Sequence, residues 1–276
     1  MPEPGSLSPA PASKPRVFAI ANQKGGVGKT TTAINLATAL AQSGQRVLLI
    51  DLDPQGNAST GVGIDRQQRA RGAYAMLLDG ESASAMSQDT DVPGLRIIPA
   101  DPDLAGAEIE LVGFEGREFR LRDVLSALEP GAYTHIVIDC PPSLGLLTLN
   151  GLVAASAVLV PLQCEFFALE GISQLVRTIE RVKRGLNPGL ELQGIVLTMF
   201  DRRNNLSDLV AADARSFFGE RVFTTVIPRN VRVSEAPSHG KPVLLYDSRS
   251  PGAQAYAQLA AELMQREAGR PREVAA

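Results

Sequence analysis

A single doubly wound, mainly parallel α/β sheet flanked by helices is the fold that this 276-residue chain predicts, and three observations lead there. Short apolar runs rich in Val, Ile and Leu alternate with segments whose apolar residues recur at helical spacing, the pattern of parallel strands covered on both faces. A glycine-rich turn, Lys24-Gly-Gly-Val-Gly-Lys-Thr-Thr31, joins the first such run to the first helical segment. Two further runs close on aspartates, at Asp51 to Asp53 and at Asp139, and ligands of open α/β sheets bind at the carboxyl ends of strands. With 44% hydrophobic residues the chain can bury one substantial core, so one domain is expected.

The elements follow in order. Met1 to Pro15 holds five prolines with serine and alanine and no apolar periodicity, which predicts a disordered extension over 1–15. Arg16-Val-Phe-Ala-Ile-Ala-Asn22 reads as a buried strand, and Thr31 to Gln42 as a helix that stops at Gly44. Val47 to Asp51 is the next strand, and others are predicted near 95–98, 135–139, 157–161, 192–199 and 222–227. Helices are predicted near 119–128, 144–155, 169–185, 206–218 and 251–267. The nucleotide-binding domain therefore spans 16–267, with a flexible tail over 268–276, and no internal repeat is visible.

A strand, a glycine-rich turn and a helix start make a cradle for nucleotide phosphates, so the chain is expected to bind a nucleoside triphosphate. Gly25, Gly26, Val27 and Gly28 offer backbone N–H groups at close approach, and the helix start at Thr30 and Thr31 adds its partial positive charge. Lys29 is placed to reach the β- and γ-phosphates, and the Thr30 hydroxyl to ligate Mg²⁺. Asp53 and Asp139 bring two carboxylates beside the loop to hold the waters of that Mg²⁺, and Asp53 is also placed to orient the attacking water. Asp51, two residues earlier, is expected on the same face as Asp53 and in reach of the phosphate loop. One departure from the G-x-x-x-x-G-K-[ST] pattern stands out: Gln23 replaces the first glycine and a second lysine, Lys24, follows it.

This K-G-G-x-G-K-T turn resembles the deviant Walker A motif of the ATPases that include the ParA/Soj partition proteins, MinD, nitrogenase-type iron proteins and arsenical-pump ATPases. Val47-Leu-Leu-Ile-Asp-Leu-Asp-Pro-Gln-Gly-Asn57 resembles that family's second strand and first switch, and His135-Ile-Val-Ile-Asp-Cys-Pro-Pro-Ser143 its Walker B strand and second switch. Ile227-Pro-Arg-Asn-Val-Arg-Val-Ser-Glu-Ala-Pro-Ser-His-Gly-Lys-Pro242 resembles the signature of the chromosomal ParA/Soj branch, and the likeness runs over about residues 16–265. It implies that Lys24, Lys29 and Asp53 serve catalysis, with Lys24 crossing to the phosphates of a partner subunit in an ATP-dependent homodimer. It also implies slow hydrolysis until a ParB-like centromere-binding protein reorganises the residues from Asp53 to Asn57. Adenine contacts are expected from the loops after later strands, at Pro228 and Asn230, while Met199 and Phe200 read as core.

A net charge of −3 argues against nucleic acid as a partner, yet charge is uneven along the chain. From Arg177 to Lys241 there are eleven Lys and Arg against seven Asp and Glu, which leaves 16 against 23 elsewhere. Basic residues gathered on one face bind phosphates by releasing counterions, and dimerisation doubles such a patch. The resemblance puts DNA-binding arginines at Arg203 and Arg232, and Arg202, Arg229 and Lys241 are expected to help. Without a recognition helix or zinc finger, binding to double-stranded DNA should be indifferent to sequence.

Cys140 and Cys164 are the only cysteines, which suits a reducing compartment; neither they nor His135 and His239 show metal-ligand spacing. No apolar stretch of the ~18 residues that span a bilayer occurs, so a cytoplasmic, nucleoid-associated protein without stable membrane attachment is expected. The leading expectation is ATP-driven segregation of chromosome or plasmid DNA. A MinD-like membrane-surface ATPase is the rival reading, but the closing segment Gln258 to Pro271 mixes acids with bases and lacks aromatic residues. A ParA-like positioner of another cargo would share every residue named.

Overall fold

The computed structural model describes residues 14–165 and 168–269, with side chains omitted for 168–170, so most of the expected extension and tail lies outside the described residues. Among the described residues seven strands are present: β1 (Arg16–Ile20), β2 (Val47–Asp51), β3 (Gln88–Asp89), β4 (Leu95–Ile98), β5 (His135–Asp139), β6 (Ala157–Gln163) and β7 (Glu191–Thr198). They form one sheet in the order β3-β4-β2-β5-β1-β6-β7, parallel throughout except for the two-residue edge strand β3. The fold class read from the sequence is therefore the observed one.

Helices α1 (Lys29–Gln42), α2 (Asn57–Gly61), α3 (Ala83–Met86), α4 (Leu104–Glu110), α5 (Arg120–Ser126) and α6 (Leu146–Ala154) come from the first part of the chain. The rest are α7 (Ala168–Gly185), α8 (Asn205–Phe218), α9 (Val231–Glu235), α10 (Val243–Tyr246) and α11 (Pro251–Ala268). Successive strand residues point to opposite faces, and each face has its own core. Val17, Ala19, Leu48, Ile50, Ile136 and Ile138 pack on one side with residues of α5 to α8. Phe18, Ile20, Val47, Leu49 and Val137 pack on the other with α1 and α11.

The chain departs from its sequence reading in three places. Residues 222–227 form no strand; single bridges, Ile195 to Val222 and Phe200 to Pro228, and the Ile227 N–H on Leu197 O at 2.8 Å tie this segment to the end of the sheet. Glu262 supplies the reason, because its carboxylate accepts the Thr224 and Thr225 N–H groups at 2.8 Å each and takes those donors out of any ladder. Helix α1 starts at Lys29 rather than Thr31, with Gly28 at φ 88° closing the turn in a conformation that disfavours a side chain. The short helices α2, α4, α9 and α10 lie in stretches whose sequence carries no helical periodicity long enough to read.

Candidate functional site

Register brings the chemistry together. β5 lies between β1 and β2, with Ile20 and Asp51 both opposite Asp139, so the turn leaving β1 and the two aspartate-bearing strand ends meet at one point. The turn itself is held from both sides: Asn22 donates to Pro161 O at 2.7 Å and accepts the Lys24 N–H at 3.0 Å, and Thr198 Oγ1 donates to Val27 O at 2.8 Å. Gly25 and Gly26 have open space where a side chain would stand. No side chain caps α1 and no acid lies in its first turn, which leaves its terminal N–H groups directed into that space.

Lys29 is buried, and its Nζ donates to Lys24 O at 3.1 Å. Burial pulls its ammonium below the usual lysine value, while Asp139 and Asp53 hold it up. Asp139 has both oxygens buried without a hydrogen-bond partner. Burial, then the neighbouring Asp51, pushes its carboxyl well above the carboxylate range, against the pull of the Thr30 hydroxyl and Lys29. Asp53 is 8% exposed beyond the end of β2 and spends one oxygen on the Gln55 N–H at 3.0 Å. Two carboxylates, Asp53 and Asp139, thus act on one lysine, an oxygen-rich setting that suits a divalent cation. Thr30, Asp53 and Asp139 are the residues present to hold Mg²⁺ or its waters, and the bound ion would neutralise phosphate charge.

Asp51 corrects the sequence reading. It turns away from the phosphate loop and accepts the Ser59 N–H at 2.8 Å, the Ser59 hydroxyl at 2.7 Å and the Asp53 N–H at 3.3 Å. Burial pushes its carboxyl up to about 6 in spite of those bonds. Its partners place it as the inner anchor of the segment from Asp53 to Gly61, because β2 ends at Asp51 and strand alternation no longer applies beyond it. A cleft of about 250 Å³ lined by Thr30, Thr31, Ile34, Asn57, Thr60 and Pro237 joins this segment to the start of α1. A larger hollow of about 600 Å³ lies by Gln193, Arg221 and Arg266, at the other end of β7, and has no glycine loop or helix start.

Lys24 stands apart from Lys29. Its side chain is 43% exposed and its Nζ pairs with Glu165 Oε2 at 2.6 Å, across the mouth of the turn. Glu165 also receives a close hydrogen bond from Gln163 Nε2. That partner is 141 positions away and could not be found from the sequence.

Pro228 is held beside Phe200 by a bridge, and Asn230 Oδ1 is buried without a partner. Phe200 packs against the core as expected, whereas Met199 is half-buried at φ 51°, with its Cε about 4.0 Å from where a Cβ on Gly28 would lie. The bridge at Phe200, with the Arg229 N–H on Phe200 O at 3.0 Å, sets the 201–204 turn beside the 229–232 loop. Arg202, Arg203, Arg229 and Arg232 are all exposed there, at the end of the sheet that carries the phosphate turn. The two arginines singled out by resemblance are the paired ones. Arg203 forks onto Asp201 with both bonds at 2.9 Å, which holds that carboxyl at about 2, and Arg232 pairs with Glu235 at 2.9 Å and Asp247 at 3.5 Å. Among the described residues Arg202, Arg229 and Lys241 have no ion pair.

Cys140 and Cys164 are buried and unbonded, and burial pushes both thiols up, Cys164 to about 11. No cluster of three or more metal-ligating His, Cys, Asp or Glu occurs among the described residues.

A family model described as an AAA domain matches residues 15–192. The chain is 62% identical to the chromosome partitioning protein ParA of Caulobacter vibrioides over 92% of its own length and 96% of that protein's. It is 52% identical to the sporulation initiation inhibitor protein Soj of Bacillus subtilis over 90% of its own length and 98% of that protein's. Among solved structures it matches cobyrinic acid a,c-diamide synthase from Mycobacterium smegmatis with bound ADP and magnesium, at TM-score 0.81 and 41% identity, over 92% of this chain and 96% of that one.

Proposed function

The chain belongs to the ParA/Soj branch of the MinD/ParA family of P-loop ATPases, and from that premise we propose that two ATP-bound copies close face to face into a dimer that holds duplex DNA without regard to sequence. It is an ATPase of the partitioning type. In this reading hydrolysis, stimulated by a ParB-like partner, releases the dimer from the nucleoid, and cycles of binding and release move chromosome or plasmid cargo.

The observation that carries the reading is the separation of the two lysines: Lys29 is buried in its own phosphate cradle, while Lys24 is on the rim and paired outward. A cation held there serves a partner's phosphates, where it neutralises charge that develops in phosphoryl transfer. Pairing with Glu165 competes with that role. Both side chains are about half exposed, and exposed pairs of this kind contribute roughly 0.2–1 kcal/mol. Glu165→Gln should therefore lower the ATP concentration for half-maximal dimerisation by about twofold to fivefold. Sedimentation across an ATP titration checks this, and an unchanged midpoint would show that Lys24 does not leave Glu165 on assembly.

The arginine cluster at the 201–204 and 229–232 loops is the DNA surface in this reading. The closing helix gives a membrane little to bind, since Ala253, Ala255, Tyr256, Leu259, Ala260 and Leu263 are buried, and no helix among the described residues is long and apolar enough to cross a bilayer. Binding to an arbitrary duplex should appear only with ATP and Mg²⁺ and fall steeply with salt. Arg203→Glu with Arg232→Glu should keep ATP-dependent dimerisation and lose at least about tenfold in DNA affinity. Four fewer phosphate contacts per dimer would flatten the log–log salt slope by roughly 3.5. Equal DNA affinity and slope in the double variant would remove these two arginines from the surface.

A further inference from the structure

Arg69 is the least exposed arginine among the described residues, at 5% exposure, and it makes no ion pair, although the charges of Asp51 and Asp65 are felt at its guanidinium. Its guanidinium is spent on a single segment. Nη1 donates to Gly56 O at 3.0 Å, Nη2 to Thr60 Oγ1 at 2.8 Å, and Nε to Ile64 O at 3.0 Å, where Nη2 also makes a close contact. Gly56 is the residue from which α2 starts, and its carbonyl also receives the Thr60 N–H and hydroxyl at 3.0 Å each. A Cβ on Gly56 would collide with Arg69 Nη1, so a side chain at this φ 65° position would have to displace the guanidinium.

The arginine is itself launched from a rigid turn. Asp65 Oδ1 accepts the Gln67 and Gln68 N–H groups at 3.0 and 3.2 Å, and Gln68 Oε1 accepts the Asp65 N–H at 3.0 Å, a reciprocal capping box immediately before Arg69. Asp51 grips the same segment from inside through Ser59. The stretch that carries Asp53 and Asn57 is thus clamped between an inner carboxylate and an outer guanidinium. Burying a guanidinium against carbonyls carries a desolvation cost that an apolar side chain of like volume avoids.

We propose that Arg69 is a positioning residue for hydrolysis, holding the Gly56–Thr60 segment so that Asp53 and Asn57 face the phosphates and the attacking water. Arg69 touches neither nucleotide nor metal; it acts through the backbone that carries Asp53. The proposal rests on the reading that Asp53 works at the phosphates.

Arg69→Met and Arg69→Lys, with Asp53→Ala alongside, separate the possibilities when kcat is expressed per bound nucleotide and the Kd for ATP with Mg²⁺ is measured directly. Misplacing a catalytic group by about 1 Å costs on the order of 100-fold. The expected result is a kcat ten- to hundredfold lower in Arg69→Met and an intermediate loss in Arg69→Lys, whose single ammonium cannot span three acceptors, with Kd within about twofold of wild type in both. A purely structural role would lower the number of nucleotide-binding molecules and leave kcat per bound nucleotide unchanged, and that result would overturn the proposal. Loss of affinity in step with kcat would overturn it too. If Asp53→Ala keeps the wild-type rate, the premise about Asp53 fails; if Asp53→Ala is inactive while both Arg69 variants hydrolyse normally, the Arg69 assignment alone fails.

Discussion

Asp53→Ala should leave a protein that binds ATP, dimerises and stays on DNA, with hydrolysis reduced by about 100- to 1,000-fold, the size of effect that a positioned acid–base or charge-stabilising group has. The expectation follows from how differently the three carboxylates are used. Asp51 spends its oxygens on Ser59 and Asp53 and anchors the loop. Asp139 sits at a strand end with both oxygens unpartnered in the interior, suited to hold a cation's waters. Asp53 alone lies on the loop past a strand end, with one oxygen engaged by Gln55 and the other left for a water. Its removal takes away an interaction with the reacting water and leaves the phosphate cradle intact, so affinity should change less than about threefold, well below a single charge-assisted contact. Phosphate release under single-turnover conditions, with DNA retention followed after ATP is withdrawn, measures both halves. Wild-type turnover in Asp53→Ala would transfer the water-orienting role to another group, and rapid DNA release would break the link between hydrolysis and unloading.

Lys29→Ala should have the opposite profile, losing nucleotide affinity together with turnover. Hydrogen bonds to charged groups contribute roughly 1.5–3 kcal/mol, so the Kd for ATP should weaken by about 10- to 100-fold. Turnover should fall further, by at least about 100-fold, because charge on the transferred phosphate grows as the reaction proceeds. The surrounding charge sharpens the effect. Lys29 is the cation that opposes the burial of Asp139, so its loss leaves Asp139 and Asp53 facing an anionic ligand without a fixed positive charge beside them. Calorimetric titration with ATP and Mg²⁺ reads the affinity, and a Kd within twofold of wild type would mean that the glycine turn and helix start alone hold the phosphates.

The two expected profiles would divide the site between binding and turnover, and the residues involved were only partly legible in the sequence. Lys24 to Thr31 was legible because a phosphate cradle is built from consecutive residues: strand, tight turn and helix start need no partner from elsewhere in the chain. Asp139 was legible as an acid closing a strand of parallel-sheet composition. Asp51 was misread, since alternation holds only while the strand continues and β2 ends at that residue. The segment 222–227 was misread as a strand because its composition is strand-like, while the Thr224 and Thr225 N–H groups in its middle are taken by Glu262 on a distant helix. Arg69 carried no signal, lying in a polar stretch with no periodicity.

The sequence by itself determined the class of the fold, the phosphate turn and the acids that close two of its strands, because each of these is written in neighbouring residues through local periodicity and backbone chemistry. Tertiary structure decided what those groups face. It put β5 between β1 and β2, so that Asp139 meets both the turn and Asp51, and it paired Lys24 with Glu165 across 141 positions. It also brought the 201–204 and 229–232 loops together, and closed Arg69 over Gly56. Which charge neutralises which depends on strand order and register, and those are chosen by burial of the whole core, on both faces of the sheet at once.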